Sequence, residues 1–116
     1  MFSIGDIVLA LVPNPDGSAA DHVHPAVVVS AEMGGIIWLV AISTSFQEPP
    51  PAHWIKLPWH PNRRVATGLG RKCVAKCNWM VRFAIAKIDR KIGVVPTIQL
   101  RQILEQIKIL GQEAPG

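Results

Sequence analysis

Every apolar run in this sequence is short. The longest, Gly34 to Ile42, stops at about nine residues. A membrane-crossing helix needs about 20 residues, so none is expected. Short runs rich in β-branched residues and bounded by turn formers are the mark of strands. Strands are therefore expected at Ile4 to Val12, Pro25 to Ser30 and Ile36 to Ser43, with Gly34-Gly35 as a tight hairpin turn. The unbroken apolarity of Ile36 to Ile42 predicts burial on both faces of its sheet. Trp54 to Leu57, Arg63 to Ala66, Cys73 to Met80 and Ala84 to Ile88 are shorter candidates. Pro13 to His24 and the Pro49-Pro50-Pro51 segment read as loops.

One stretch breaks this rhythm. After Pro96 and Thr97, apolar residues recur at Leu100, Ile103, Leu104, Ile107 and Leu110 with polar residues between them. That spacing predicts an amphipathic helix capped by Thr97 and stopped by Gly111. Several short strands and one terminal helix give a mainly β fold, a small β-barrel closed by a helix. At 116 residues the chain is expected to form one domain, 1–116. Its 49% hydrophobic and 17% charged residues exclude a disordered chain. The N-terminus lacks a basic stretch ahead of its apolar run, so it does not read as a secretory signal. Two cysteines make no disulfide framework for a chain this long. A reduced, cytoplasmic protein is the expected reading.

Charge is distributed unevenly. Residues 1–55 contain no Lys or Arg and five acids, for a net −5. Residues 56–91 carry ten cations against Asp89 alone, for a net +9, and residues 92–116 balance. A basic face that meets an anion fits this pattern, either nucleic acid or an acidic partner. Charges spread over a solvated surface fit it too. Trp54 and Trp59 flank Lys56 near Arg63 and Arg64, an interleaving of aromatic and basic residues suited to single-stranded nucleic acid. Equally, two large rings there would pin a loop over the barrel. Trp38 is expected in the core, and Trp79 reads as groove or core.

His22 and His24 are two apart and share a face of an extended chain. Imidazole titrates near neutrality, so the pair can serve as base and acid in cleavage of RNA by its own 2′-OH. The plain alternative is two polar residues ahead of a strand. Cys73 and Cys77 lack the usual C-x2-C zinc spacing and read as small core residues. No metal site and no cofactor are expected.

Read in order, the segments resemble the PemK/MazF-like toxins of bacterial toxin–antitoxin modules. The resemblance lies in GDIVLALVP (Gly5 to Pro13), HPAVVVS (His24 to Ser30) and VAIST (Val40 to Thr44). It continues in TGLGRKCVAKCNWM (Thr67 to Met80) and KIGVVPTIQLRQILEQI (Lys91 to Ile107), and so spans almost the whole chain. It implies an SH3-like barrel, a homodimer, an acidic antitoxin partner and a metal-independent endoribonuclease. It also implies a hydroxyl at the end of the third strand, where Ser43 and Thr44 stand. The family's ribonucleases carry Arg before the proline of the second strand and use it on the scissile phosphate. His24 occupies that position here. The expected catalytic residues are thus His24, Ser43 and Thr44. The expected nucleic-acid contacts are His22, Lys56, Trp59, Arg63, Arg64, Arg71, Lys72 and Lys76. Two function classes remain open: an RNA-cleaving toxin, and a non-catalytic module that binds nucleic acid or peptide on the same barrel.

Overall fold

The Gly34-Gly35 turn organises the centre of the sheet. Both glycines have positive φ, 58° and 80°, the left-handed backbone that a two-residue hairpin turn requires. Met33 and Ile36 exchange backbone hydrogen bonds across it. The computed structural model describes residues 1–113. Residues 114–116, the end of the expected domain 1–116, lie outside the described residues.

The strands are β1 (Asp6–Ala10), β2 (His24–Val28), β3 (Ile36–Ser43), β4 (Trp54–Lys56), β5 (Val74–Ala84) and β6 (Arg90–Val94), and helix α1 spans Thr97–Glu113. They form one antiparallel sheet in the order β4-β5-β3-β2-β1-β6, curled into a half-barrel with α1 packed against it. The mainly β expectation holds. No helix among the described residues is long and apolar enough to cross a membrane.

Side-chain alternation divides the interior in two. Ile7, Val27, Val40 and Ile42 point to one face and join Leu57, Leu69, Cys73, Ala75 and Cys77. Helix α1 covers that cluster with Leu100, Ile103, Ile107 and Leu110. Val8, Ala26, Val28, Leu39 and Ala41 point the other way and pack with Trp79 and Phe83. The continuous apolarity of β3 therefore does reflect burial on both faces.

Several boundaries differ from expectation. Arg63 to Ala66 is not a strand: Arg63 sits at φ 62°, and its N–H donates to the His60 carbonyl, which turns the chain. Cys73 to Met80 and the residues beyond it merge into the single long β5, followed by a 3-10 turn at Ile85–Lys87 where a strand was expected. β5 shifts register against β3 between Val40 and Ile42, and its first part is then paired on the other side by β4. β6 carried no strand signal of its own, because Gly93 interrupts a five-residue segment. It forms by pairing with β1. Trp38 is not core but 37% exposed, because the cluster on its face ends at Val40. Leu104, expected on the buried stripe, is also exposed. Gly111 does not stop the helix, which continues to Glu113. In place of a Thr97 side-chain cap, the first turn closes with the Leu100 N–H donating to the Pro96 carbonyl.

One close approach positions the connection between β4 and β5. A Cβ on Gly68 would strike the Ile92 carbonyl, and one on Gly93 would strike the backbone of Thr67. The two glycines let this connection lie flat on β6, where the Val94 N–H donates to the Ala66 carbonyl. Thr67 is buried, donates its hydroxyl to the Pro58 carbonyl at 2.7 Å and accepts from the Leu69 N–H at 3.2 Å. The residues on either side, Arg63 and Arg71, are thereby held at one end of the sheet.

Candidate functional site

Antiparallel pairing of Ala26 with Ala41 brings the start of β2 beside the end of β3. His24 begins β2 and Ser43 ends β3, so both stand at one rim. A cleft of about 550 Å³ opens there, lined by His22, His24, Ser43, Thr44, Arg63 and Arg71 among others. No carboxylate lines it among the described residues.

The two imidazoles face each other with ring centroids 4.2 Å apart, and the edge of His24 meets Trp79 at 5.5 Å. Trp79 is itself fixed, because its indole N–H donates to the Pro13 carbonyl at 2.8 Å. Burial holds the His24 pKa below the usual histidine value, and the charge of His22 adds to that effect, while Asp21 opposes it. His24 is therefore the neutral base-like member at neutral pH. The Ser43 hydroxyl accepts from the Ser45 N–H at 3.1 Å and donates to the Ser45 carbonyl at 3.2 Å, and Ser43 lines the cleft wall. Thr44 is exposed beside it.

The cleft gathers six of the expected site residues: His24, Ser43, Thr44, His22, Arg63 and Arg71. The other five are elsewhere. Lys56 and Lys72 both pair with Glu48, at 3.0 and 2.8 Å, and these bonds hold that carboxyl below its ordinary range. Much of their positive charge is thus spent within the chain. Lys76 lies over the Trp54 ring, 4.2 Å from its centroid, and partial burial lowers its pKa. The Trp54 N–H donates to Asn78 at 2.9 Å, so this tryptophan pins β4 to β5. Trp59 is 41% exposed and, with Arg64, stands outside the cleft lining. Lys56 and Trp54 instead border a wider groove between β4 and α1, which also carries Arg101, Glu105 and Lys108.

Sequence reasoning placed Arg63 and Arg71 on a general basic surface and looked for a cation near His24 only in the first half of the chain. The fold supplies one from the β4–β5 connection. Gly70 was also missed: its bare α-carbon lies against the Arg63 side chain. The Thr67-to-Arg71 segment, glycines between a buried threonine and a cation, is the signal that pointed there. Cys73 and Cys77 are buried in the core, which pushes their thiols up to about 11 and about 12. They are protonated at neutral pH, whereas metal ligation needs thiolate. Among the described residues no group of three or more His, Cys, Asp and Glu is placed to hold a metal ion.

A family model described as PemK-like, MazF-like toxin of type II toxin–antitoxin system matches residues 3–111. Among curated proteins none matches the sequence. Solved structures with similar folds include a MazE–MazF crystal structure (Form-II) from Deinococcus radiodurans, with TM-score 0.69 and 13% identity over 97% of each chain. The Mycobacterium tuberculosis toxin MazF-mt6 aligns with TM-score 0.66 and 14% identity, over 93% of this chain and 99% of that one. An endoribonuclease in complex with its cognate antitoxin, from a Mycobacterial species, aligns with TM-score 0.69 and 11% identity over 99% and 100%. At these identities the likeness speaks to the fold.

Proposed function

This chain belongs to the PemK-like, MazF-like toxin family of type II toxin–antitoxin systems, and from that premise we propose that it is a metal-independent endoribonuclease toxin working in the cleft at the β2–β3 rim. The observation that carries this reading is the meeting of two adjoining imidazoles, a strand-end hydroxyl and two arginines in one cleft without a carboxylate. Cleavage needs a base, an acid and groups that stabilise charge on the phosphoryl oxygens. Neutral His24 takes the proton of the 2′-OH. The 2′-oxygen forms a new bond to the adjacent phosphorus as the bond to the 5′-oxygen breaks. His22 hands a proton to that leaving oxygen. The products are a 2′,3′-cyclic phosphate and a free 5′-OH. Thr44 donates a hydrogen bond to a non-bridging oxygen, and Ser43 does so once its hydroxyl turns from the Ser45 carbonyl.

The same reading gives the chain two partners. Complexes of similar folds with antitoxins and the +9 segment of residues 56–91 support an acidic antitoxin segment. A second copy of the chain is supported by apolar side chains left in solvent on β3 and β5, Trp38 and Met80 among them.

The test is cleavage of a fluorescent single-stranded RNA with chelator present. Wild type should cleave, and His24→Ala should lower kcat by roughly 10²–10⁴, the usual range for losing a general acid or base. Equal activity in His24→Ala would remove His24 from the mechanism. Cleavage by His24→Arg alone would mean that the natural chain is a non-catalytic binding module.

A further inference from the structure

The cleft is lined by two arginines as well as its imidazoles, and one of them has an unusual backbone. Arg63 is the only non-glycine residue with positive φ among the described residues, at 62°. That left-handed conformation is disfavoured for a side chain as large as arginine and persists only where surrounding contacts impose it. Here they do: the Arg63 N–H donates to the His60 carbonyl at 2.8 Å, and the Arg64 N–H donates to the Asn62 side chain at 2.8 Å. The His60 N–H in turn donates to the Leu69 carbonyl, which ties the turn to the segment carrying Gly70.

Gly70 determines where the side chain goes. A Cβ built on Gly70 would meet Arg63 Nε at 3.0 Å and Cγ at 3.1 Å. The arginine stem therefore lies against Gly70, so close that a side chain there would push it aside, and Arg63 lines the cleft with His22, His24 and Ser43. Arg63 has no acidic partner among the described residues, unlike Lys56, Lys72 and Lys91, which are paired with Glu48 or Asp6. An unpaired guanidinium in a cleft without carboxylates is suited to bidentate binding of an anion.

We propose that Arg63, laid across Gly70 and lining the cleft, is the phosphate-binding cation of this site, with Gly70 as its positioning residue and a single-stranded RNA phosphodiester as its ligand. The proposal rests on the reading of this cleft as an RNA site. It places the charge that in-line attack builds on the phosphoryl oxygens against a guanidinium supplied from the β4–β5 connection, in the same cleft as His24.

The experiment is a binding titration with a fluorescein-labelled 2′-O-methyl RNA of mixed sequence, which has no free 2′-OH and cannot be cleaved. Affinity is followed over a range of salt concentrations. Arg63→Gly removes the cation and relieves the left-handed backbone, so its thermal stability should not fall. Its log–log salt dependence should be shallower by about 0.7, the contribution of one single-strand phosphate contact. Arg63→Lys should keep the wild-type slope with lower affinity, since the bidentate geometry is lost. Lys87→Ala, which removes one exposed cation away from the cleft, should leave the slope unchanged. Gly70→Ala should weaken binding in the wild type but not in the Arg63→Gly background, because its effect passes through Arg63.

The proposal is overturned if the wild type shows no salt-dependent binding, if Arg63→Gly binds as the wild type does, or if Lys87→Ala flattens the slope equally. It is also overturned if Gly70→Ala acts independently of Arg63. Because the probe cannot be cut, this outcome is separate from catalysis. Wild type that binds as expected yet leaves ordinary RNA intact sinks the cleavage reading and keeps Arg63. Cleavage with unchanged kcat and KM in Arg63→Gly sinks Arg63 alone.

Discussion

In the proposed mechanism His24 serves as the base because of where its ring is placed. A histidine ahead of a strand is an ordinary loop residue until it is set between His22 and Trp79, with Asp21 nearby and Arg63 and Arg71 lining the same cleft. Partial burial, reinforced by His22, lowers its pKa, so the folded chain favours the neutral ring. The stabilisation this contributes is complete above the unfolded value of about 6.5. It is lost as pH falls through the lower folded value, because the unfolded chain then binds the extra proton more readily. Two outcomes are expected. The acidic limb of kcat/KM against pH should lie below 6.5, since the base must be neutral in the free enzyme. Denaturation midpoints should fall between pH 7 and pH 5 by less in His24→Asn than in the wild type. A limb at or above 6.5, or identical pH dependence of stability in the two proteins, would contradict this account.

Among the elements, α1 shows how a periodic pattern becomes an anchored helix. Its hydrophobic stripe is visible in the sequence, but the residues of that stripe are not equivalent. Ile103 is 0% exposed and sits in the first core cluster, where its carbonyl accepts a weak hydrogen bond from the Cys77 thiol at 3.9 Å. Leu104 looks out onto the groove beside β4, and Ile98 is 69% exposed. Ile103→Ala should therefore cost about 2–5 kcal/mol, the range for deleting buried methylenes and leaving a cavity. Ile98→Ala should change stability by less than about 0.5 kcal/mol. Urea unfolding of the two variants measures both. Comparable losses would mean that the helix packs through a different face. The β4–β5 connection makes the complementary point, because it has no regular structure and still delivers Arg63 and Arg71 to the cleft. It is held by Gly68 and Gly93 against β6 and by the buried hydroxyl of Thr67.

At the scale of the whole molecule, the half-barrel leaves apolar side chains in solvent on the first face of β3 and β5. Trp38 stands opposite Arg82 and Met80 opposite Val40, so they are neighbours on that face, and Met33 is 83% exposed at the hairpin turn leading into β3. Under the proposed assembly, light scattering at micromolar concentration should give twice the 12.7 kDa chain mass. Met80→Lys should shift the protein toward monomer, because a charge in an apolar contact is strongly penalised. A clean monomer mass for the wild type would remove the homodimer from the proposal.

The sequence by itself determined the local grammar. Runs of β-branched residues between glycines and prolines can only be strands, Gly34-Gly35 can only be a tight turn, and a stripe at helical spacing ahead of Gly111 can only be a helix near its end. These are properties of a few neighbouring residues, which is why they are legible without a fold. The ordered segments from Gly5 to Ile107 were enough to indicate the family. Pairing partners were not legible. β6 exists because β1 offers it a ladder, and Trp38 is exposed because the core on its face ends at Val40. Nor was the fate of the basic block, in which Lys56 and Lys72 share the one carboxylate of Glu48, Lys76 is set over Trp54, and Arg63 and Arg71 line the cleft. The composition of the site was decided by the tertiary structure, because it depends on which distant segments two glycines allow to touch. The cation missing beside His24 in the sequence comes from the far side of the fold.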